Sequence, residues 1–257
     1  MNNHKPFILF LFITCALCVF CGPSTHKKED PVTLRIAAFG DSTTAFRDDV
    51  TCVYSQRLAS SLSSFSTPEH TVSFEIINAG VSGHTTRNAL DRFDRDILER
   101  SPHLVIIQFG LNDSCIDVQM GKTGPRVSRE DYEKNLLYFI EKIREQHARV
   151  ILMTPNPARW TEDIKRIWGK PPYDISDPMG FNLLNSEYAE SVRELGKKMK
   201  VPVVDIYRLF LDYHREKGKT MDELLTDGIH PNDRGHRLIT SALLAVVKKE
   251  IAVILHR

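Results

Sequence analysis

Four short polar blocks hold residue types that together could perform nucleophilic acyl chemistry. They are Gly40-Asp41-Ser42-Thr43, Asn78-Ala79-Gly80-Val81-Ser82-Gly83, Gly110-Leu111-Asn112-Asp113 and Asp227-Gly228-Ile229-His230-Pro231-Asn232. A serine hydroxyl is a weak nucleophile until a nearby base takes its proton. An imidazole can accept that proton and return it, which makes His230 the candidate base for Ser42. Asp227 stands three residues earlier on the same turn, within reach of the ring's Nδ1–H, and Gly228 and Pro231 are expected to fix that turn. Any one block is a weak signal, because a Gly-Asp-Ser turn is common and mostly structural. The informative feature is that all four occur in one chain, each beside the right kind of element.

Those elements follow from apolar periodicity. Strands are expected over 34–39, 72–77, 103–109, 149–153 and 201–206, the third being almost wholly apolar. Helical spacing occupies 50–65, 85–99, 182–198 and 232–254, and another helix opens at Ser128, where Asp131 three residues on resembles a capping box. Strands separated by helices need crossover connections and therefore a parallel sheet covered on both faces. The expected fold class is α/β, a three-layer α/β/α sandwich around a central, mostly parallel five-stranded sheet. The reactive crevice of such a sheet lies beyond the carboxyl ends of its strands. The first three blocks directly follow the first three strands, and the fourth precedes the closing helix.

In this order the blocks resemble those of the SGNH (GDSL) hydrolases, a family named for a Ser, a Gly, an Asn and a His. Ser42, Asn112 and His230 match, and Gly83, which follows Ser82, matches the named glycine better than Gly80 does. Thr43 stands where the name motif has Leu, a departure that the family tolerates. The resemblance extends over essentially the whole chain after about residue 33. It implies a flavodoxin-like sheet and a serine esterase working without metal or cofactor, with Ser42, Asp227 and His230 as the catalytic group. The oxyanion of its tetrahedral intermediate needs donors already in place. The backbone N–H groups of Ser42 and Gly83 and the side-chain amide of Asn112 would supply them. Asp41, Asn78, Gly80 and Asp113 are expected to brace their loops, and His236 and Arg237 to belong to the last helix.

The connection over 156–180 is long for a compact domain, and such connections are often functional. It holds both tryptophans, Trp160 and Trp168, with Tyr173. Trp160, Trp168 and His84 are therefore candidate substrate contacts, against the plainer reading of a small lid core and a solvated loop histidine.

A net charge of +1 gives no global pull towards nucleic acid or an anionic membrane. Lys5, an apolar run over 7–20 and the break at Gly22-Pro23-Ser24 resemble a secretory signal, the run being short for a span. Three segments are expected: an export signal over 1–21, a linker over 22–32 and a catalytic domain over 33–257. Removing 1–21 takes away one basic residue, Lys5, and leaves the remainder formally neutral. Lipid attachment at Cys21 would tether the protein to a membrane, although Phe20 is a large residue to precede a lipidated cysteine. Cys15, Cys18 and Cys21 lack a fourth ligand for a metal. Cys52 and Cys115 are able to pair in an oxidising compartment or to remain thiols. Export and an aromatic loop favour a small-molecule or polysaccharide ester, with O-acetyl on a carbohydrate as the leading substrate. A lipid, aryl or thioester hydrolase and a non-catalytic carbohydrate binder are the alternatives. The sequence specifies no oligomer.

Overall fold

The computed structural model describes residues 32–67 and 71–256, together with Met1. The expected export segment over 1–21, with Cys15, Cys18 and Cys21, lies outside the described residues, as does the linker over 22–31. Val32, assigned to the linker from sequence, already belongs to the first strand.

In chain order the strands are β1 (Val32–Gly40), β2 (Val72–Gly80), β3 (Leu104–Gln108), β4 (Arg149–Met153) and β5 (Val203–Val204). The helices are α1 (Tyr54–Leu62), α2 (Thr86–Leu90), α3 (Phe93–Asp96), α4 (Arg129–Glu145), α5 (Glu162–Trp168), α6 (Asn185–Met199), α7 (Ile206–Arg215) and α8 (Asp233–Leu255). All strand pairs are parallel, in the order β2-β1-β3-β4-β5. This is the expected three-layer architecture with the flavodoxin-type strand order.

Alternation along the strands separates two cores, because neighbouring side chains point to opposite faces. Ala37 and Phe39 of β1 and Val105 and Ile107 of β3 pack with Phe93, Phe139, Leu136 and Tyr188 on one face. Leu34, Ile36 and Ala38, with Leu104 and Ile106, pack with Tyr54, Leu58, Phe210, Ile239 and Leu243 on the other. The inner strands are buried on both sides, which explains why β3 reads as a continuous apolar run.

Three elements depart from expectation for identifiable reasons. The single helix expected over 85–99 is broken at Arg92, whose φ of −121° and ψ of 0° leave the helical region. Its buried guanidinium donates to Ala79 O at 2.8 Å, Gly40 O at 2.9 Å and Asp96 at 3.0 Å. The helix expected from residue 50 begins at Tyr54, because the N–H groups of Thr51 and Cys52 donate to Asp233. The fifth strand is trimmed to two residues: Val201 N–H turns back to Gly196 O, and the Asp205 side chain caps α7. Helix α4 does start at Ser128, whose side chain accepts from Asp131 N–H.

Candidate active site

The β1 exit places Ser42. Immediately after Gly40 the chain makes a helical turn in which Thr44 and Ala45 donate to Asp41 O. Asp41 is buried and accepts from both the N–H and the hydroxyl of Thr43 at 2.8 Å. Desolvation raises its pKa, with the Thr43 bonds opposing that rise. It braces the turn, as its sequence context suggests. The turn rests on Gly80, where a β-carbon would lie 2.3 Å from Ala45 N. Gly80 N–H is already bonded to Asn78 Oδ1 at 2.9 Å, so this glycine serves close approach and has no donor to spare.

The loop before α8 places the histidine. Leu225 and Pro231 bridge across its neck and Thr226 N–H donates to His230 O, which makes a short hairpin. Gly228 takes a φ of +86°, and a β-carbon there would lie 2.6 Å from Arg159 O. Asp227 Oδ1 accepts from the main-chain N–H of Ile229 at 3.0 Å and of His230 at 2.8 Å. Its Oδ2 lies 2.6 Å from His230 Nδ1, and His230 Nε2 lies 2.8 Å from Ser42 Oγ. Desolvation alone would raise the Asp227 pKa, yet the side-chain and main-chain bonds from His230 hold it well below the usual carboxylate range. Asp227 does not cap α8; Asn232 does, accepting from Arg234 and Gly235 N–H. Arg47, absent from the sequence reading, approaches Asp227 Oδ2 to 3.7 Å while pairing with Asp49.

The opposite wall carries the other two expected residues. Gly83 lines the cleft beside Ser42. Asn112, after β3, donates from Nδ2 to His84 O at 3.2 Å and accepts at Oδ1 from Arg126 at 3.1 Å. Behind it Asp113 is fully buried, accepting from Thr86 N–H and hydroxyl at 2.8 and 2.5 Å, while its Oδ2 has no hydrogen-bond partner among the described residues. Desolvation pushes Asp113 up to about 7 against the Thr86 bonds. The His84 ring turns away to Arg92, at 3.2 Å, so that His84 meets the site through its carbonyl. His236 is buried within α8 and accepts from Tyr54 N–H, outside the cleft.

The cleft between these walls has a volume of about 340 Å³. The long connection forms its roof, and the two tryptophans divide their roles. Trp160 donates to the carbonyls of Asp174 and Asp177 and packs against Tyr173 and Phe181, so it belongs to a lid core rather than to the cleft wall. Trp168 lines the cleft and also a second depression of about 530 Å³ on the far side of His230. Cys115 borders the cleft, its pKa raised by burial, and among the described residues neither it nor Cys52 is in a disulfide. No helix among the described residues is long and apolar enough to cross a membrane.

Comparison with known proteins identifies the family. The model of the GDSL-like lipase/acylhydrolase family matches residues 38–238. The chain is 33% identical over 175 residues to a protein named uncharacterized lipoprotein YqeF from Bacillus subtilis, covering 64% of this chain and 70% of that one. It is 26% identical over 219 residues to the isoamyl acetate-hydrolyzing esterase of Saccharomyces cerevisiae, covering 82% and 84%. An acetylxylan esterase of Geobacillus stearothermophilus is 26% identical over 173 residues, covering 66% and 70%. The crystal structure of a catalytic mutant of an acetylxylan esterase from that organism superimposes with a TM-score of 0.64 at 21% identity, covering 84% and 94%, and shares the fold. The chain belongs to the GDSL-like lipase/acylhydrolase family, the SGNH hydrolases, and is a carboxylic ester hydrolase.

Proposed function

We propose that the protein removes small acyl groups, acetyl above all, from hydroxyls of a carbohydrate through an acyl-enzyme on Ser42. The observation that carries this reading is the chain of contacts from Ser42 Oγ to His230 Nε2 (2.8 Å) and from His230 Nδ1 to Asp227 Oδ2 (2.6 Å). Ser42 Oγ attacks the ester carbonyl as its proton passes to His230 Nε2. Collapse of the tetrahedral intermediate breaks the bond to the alcohol, whose oxygen takes that proton from His230. Water then repeats the sequence on the acyl-enzyme, releasing the acid and restoring Ser42. Asp227 holds the ring in the tautomer that leaves Nε2 as acceptor and stabilises the imidazolium. The N–H groups of Ser42 and Gly83 and the second amide hydrogen of Asn112 receive the oxyanion, each worth about 3 kcal/mol in the transition state.

Acetyl is the acyl group in the names of both esterase relatives, while their alcohols differ, one alkyl and one polysaccharide. A cleft of about 340 Å³ suits a short acyl group better than a long chain. Trp168, half-buried between two depressions, offers an aromatic face to a sugar on either side of His230. A small alkyl acetate is the second reading, favoured by the Saccharomyces relative's 82% coverage of this chain. Export accompanies the first reading, supported by Lys5 and the apolar run over 7–20 and by the lipoprotein name of the Bacillus relative. In this reading residues 1–21 are the export segment, 22–31 a tether and 32–257 the catalytic domain.

The test is acetate release from acetylated xylo-oligosaccharide and isoamyl acetate, with fatty-acid release from a lysophospholipid as the third arm. The expected result is a kcat/KM highest on the acetylated sugar. A higher value on isoamyl acetate supports the alkyl reading, and preference for the lysophospholipid refutes both.

A further inference from the structure

An amide serves as an oxyanion donor only if it is held from turning, and the structure shows what holds Asn112. Its Oδ1 accepts from Arg126 Nη1 at 3.1 Å and its Nδ2 donates to His84 O at 3.2 Å. Arg126 is itself held by Asp117, with Nε to Oδ2 at 2.9 Å and Nη2 to Oδ1 at 2.8 Å. Both side chains are largely shielded from solvent. The main chain of this segment is secured separately, by Arg126 N–H to Cys115 O at 3.0 Å and Val127 N–H to Asp113 O at 3.1 Å. The guanidinium can therefore be removed without removing the bonds that fold the loop.

We propose that Arg126, clamped by Asp117, is a positioning residue that orients and polarises the Asn112 amide for oxyanion binding. The inference rests on the reading of Asn112 as an oxyanion donor. The two ends of an amide have the same shape and opposite polarity. A cation at Oδ1 excludes the flipped rotamer, in which NH₂ would face the guanidinium. The correct rotamer commits one amide hydrogen to His84 O and leaves the second for the cleft. Drawing electron density towards Oδ1 also strengthens both N–H donors, since hydrogen bonds in series reinforce one another. The bidentate clamp matters because a guanidinium fork fits a carboxylate in one geometry, which fixes where Nη1 points. Asp117 is held below the usual carboxylate range by that same contact and so stays charged.

The test is steady-state hydrolysis of p-nitrophenyl acetate by wild type, Asn112→Ala, Arg126→Met, the double variant and Asp117→Asn, with melting temperatures in parallel. Arg126→Met should lower kcat roughly tenfold to a hundredfold, the scale of a donor displaced by about 1 Å, with KM nearly unchanged. Asp117→Asn should lose a smaller share of the same parameter, and it carries the test if Arg126→Met fails to fold. In the Asn112→Ala background, Arg126→Met should add nothing. An unchanged kcat, a loss confined to KM, or the same loss repeated on Asn112→Ala overturns the proposal alone. Wild-type kcat in Asn112→Ala removes the oxyanion reading and this inference with it.

Discussion

Asp227 shows how a short spacing can be read two ways and how contacts decide between them. Three residues before His230 and six before α8, it is placed either to orient an imidazole or to cap a helix. The cap is made by Asn232, and both Asp227 oxygens are spent within the histidine turn. Asp227→Asn should therefore stay folded, since an amide oxygen can still accept from Ile229 and His230 N–H, and lose only the stability that the carboxylate's charge contributes. Its acylation rate should fall by roughly 10⁴-fold, because the amide favours the wrong ring tautomer. Single-turnover acylation and thermal melting on one preparation check this; a lowered melting temperature with wild-type acylation would contradict it. The juxtaposition of Ser42, His230 and Asp227 was legible because serine–histidine–carboxylate chemistry is tied to residue type within short blocks. Arg126 and Arg47 were not, because a long cationic side chain reaches partners that nothing local in the sequence specifies. The tryptophans were separable only in three dimensions: both sit in one loop, yet Trp160 is spent on carbonyls and rings while Trp168 faces the cleft.

At the scale of elements, the site depends on how closely the β1 exit and the β2 exit approach. Gly80 is the contact point, with room for no β-carbon against Ala45 N. Gly80→Ala should push the Ser42 turn away from β2, costing about 1–3 kcal/mol by overpacking. It should also lower kcat by moving Ser42 Oγ off His230 Nε2. Denaturant unfolding and esterase kinetics check both effects, and wild-type values in each would show that the turn accommodates a methyl group. Strands β1 to β4 were legible as apolar runs, whereas the break after α2 was not. Arg92 interrupts a helical apolar pattern, and its burial is made favourable by the carbonyls of Gly40 and Ala79 at two strand ends and by the Asp96 carboxylate. Helices α5 and α7 escaped for a related reason, being short and set between stronger signals. Their starts are marked by Thr161 and Asp205, each accepting from a backbone N–H three residues on.

For the whole molecule, pH couples stability to a carboxyl behind the site. Asp113 titrates near 7 in the folded protein, against about 3.9 for an unfolded chain. Between those values the folded state holds a proton that the unfolded chain has released, so stability falls as pH rises from about 4 to about 7. The full excursion corresponds to up to roughly 4 kcal/mol. Asp113→Asn keeps an acceptor for Thr86 and carries no such proton. Its stability relative to wild type should therefore improve steadily across that interval. Urea unfolding at several pH values measures this difference; parallel curves for the two proteins would contradict it. Asp227 works in the opposite sense, since its depressed pKa contributes stability that is lost only as pH falls below the ordinary carboxylate range.

In the proposed mechanism ester hydrolysis runs through a covalent intermediate on Ser42, activated by His230. Peptide mapping by mass spectrometry after brief exposure to a fluorophosphonate, with acetate-ester turnover followed in the same sample, tests it most directly. One phosphonyl group is expected, on Ser42, with turnover lost in proportion to labelling. A folded Ser42→Ala variant should show no labelling and no turnover. Labelling at another residue, or acetate release that persists in Ser42→Ala at the wild-type rate, would contradict it.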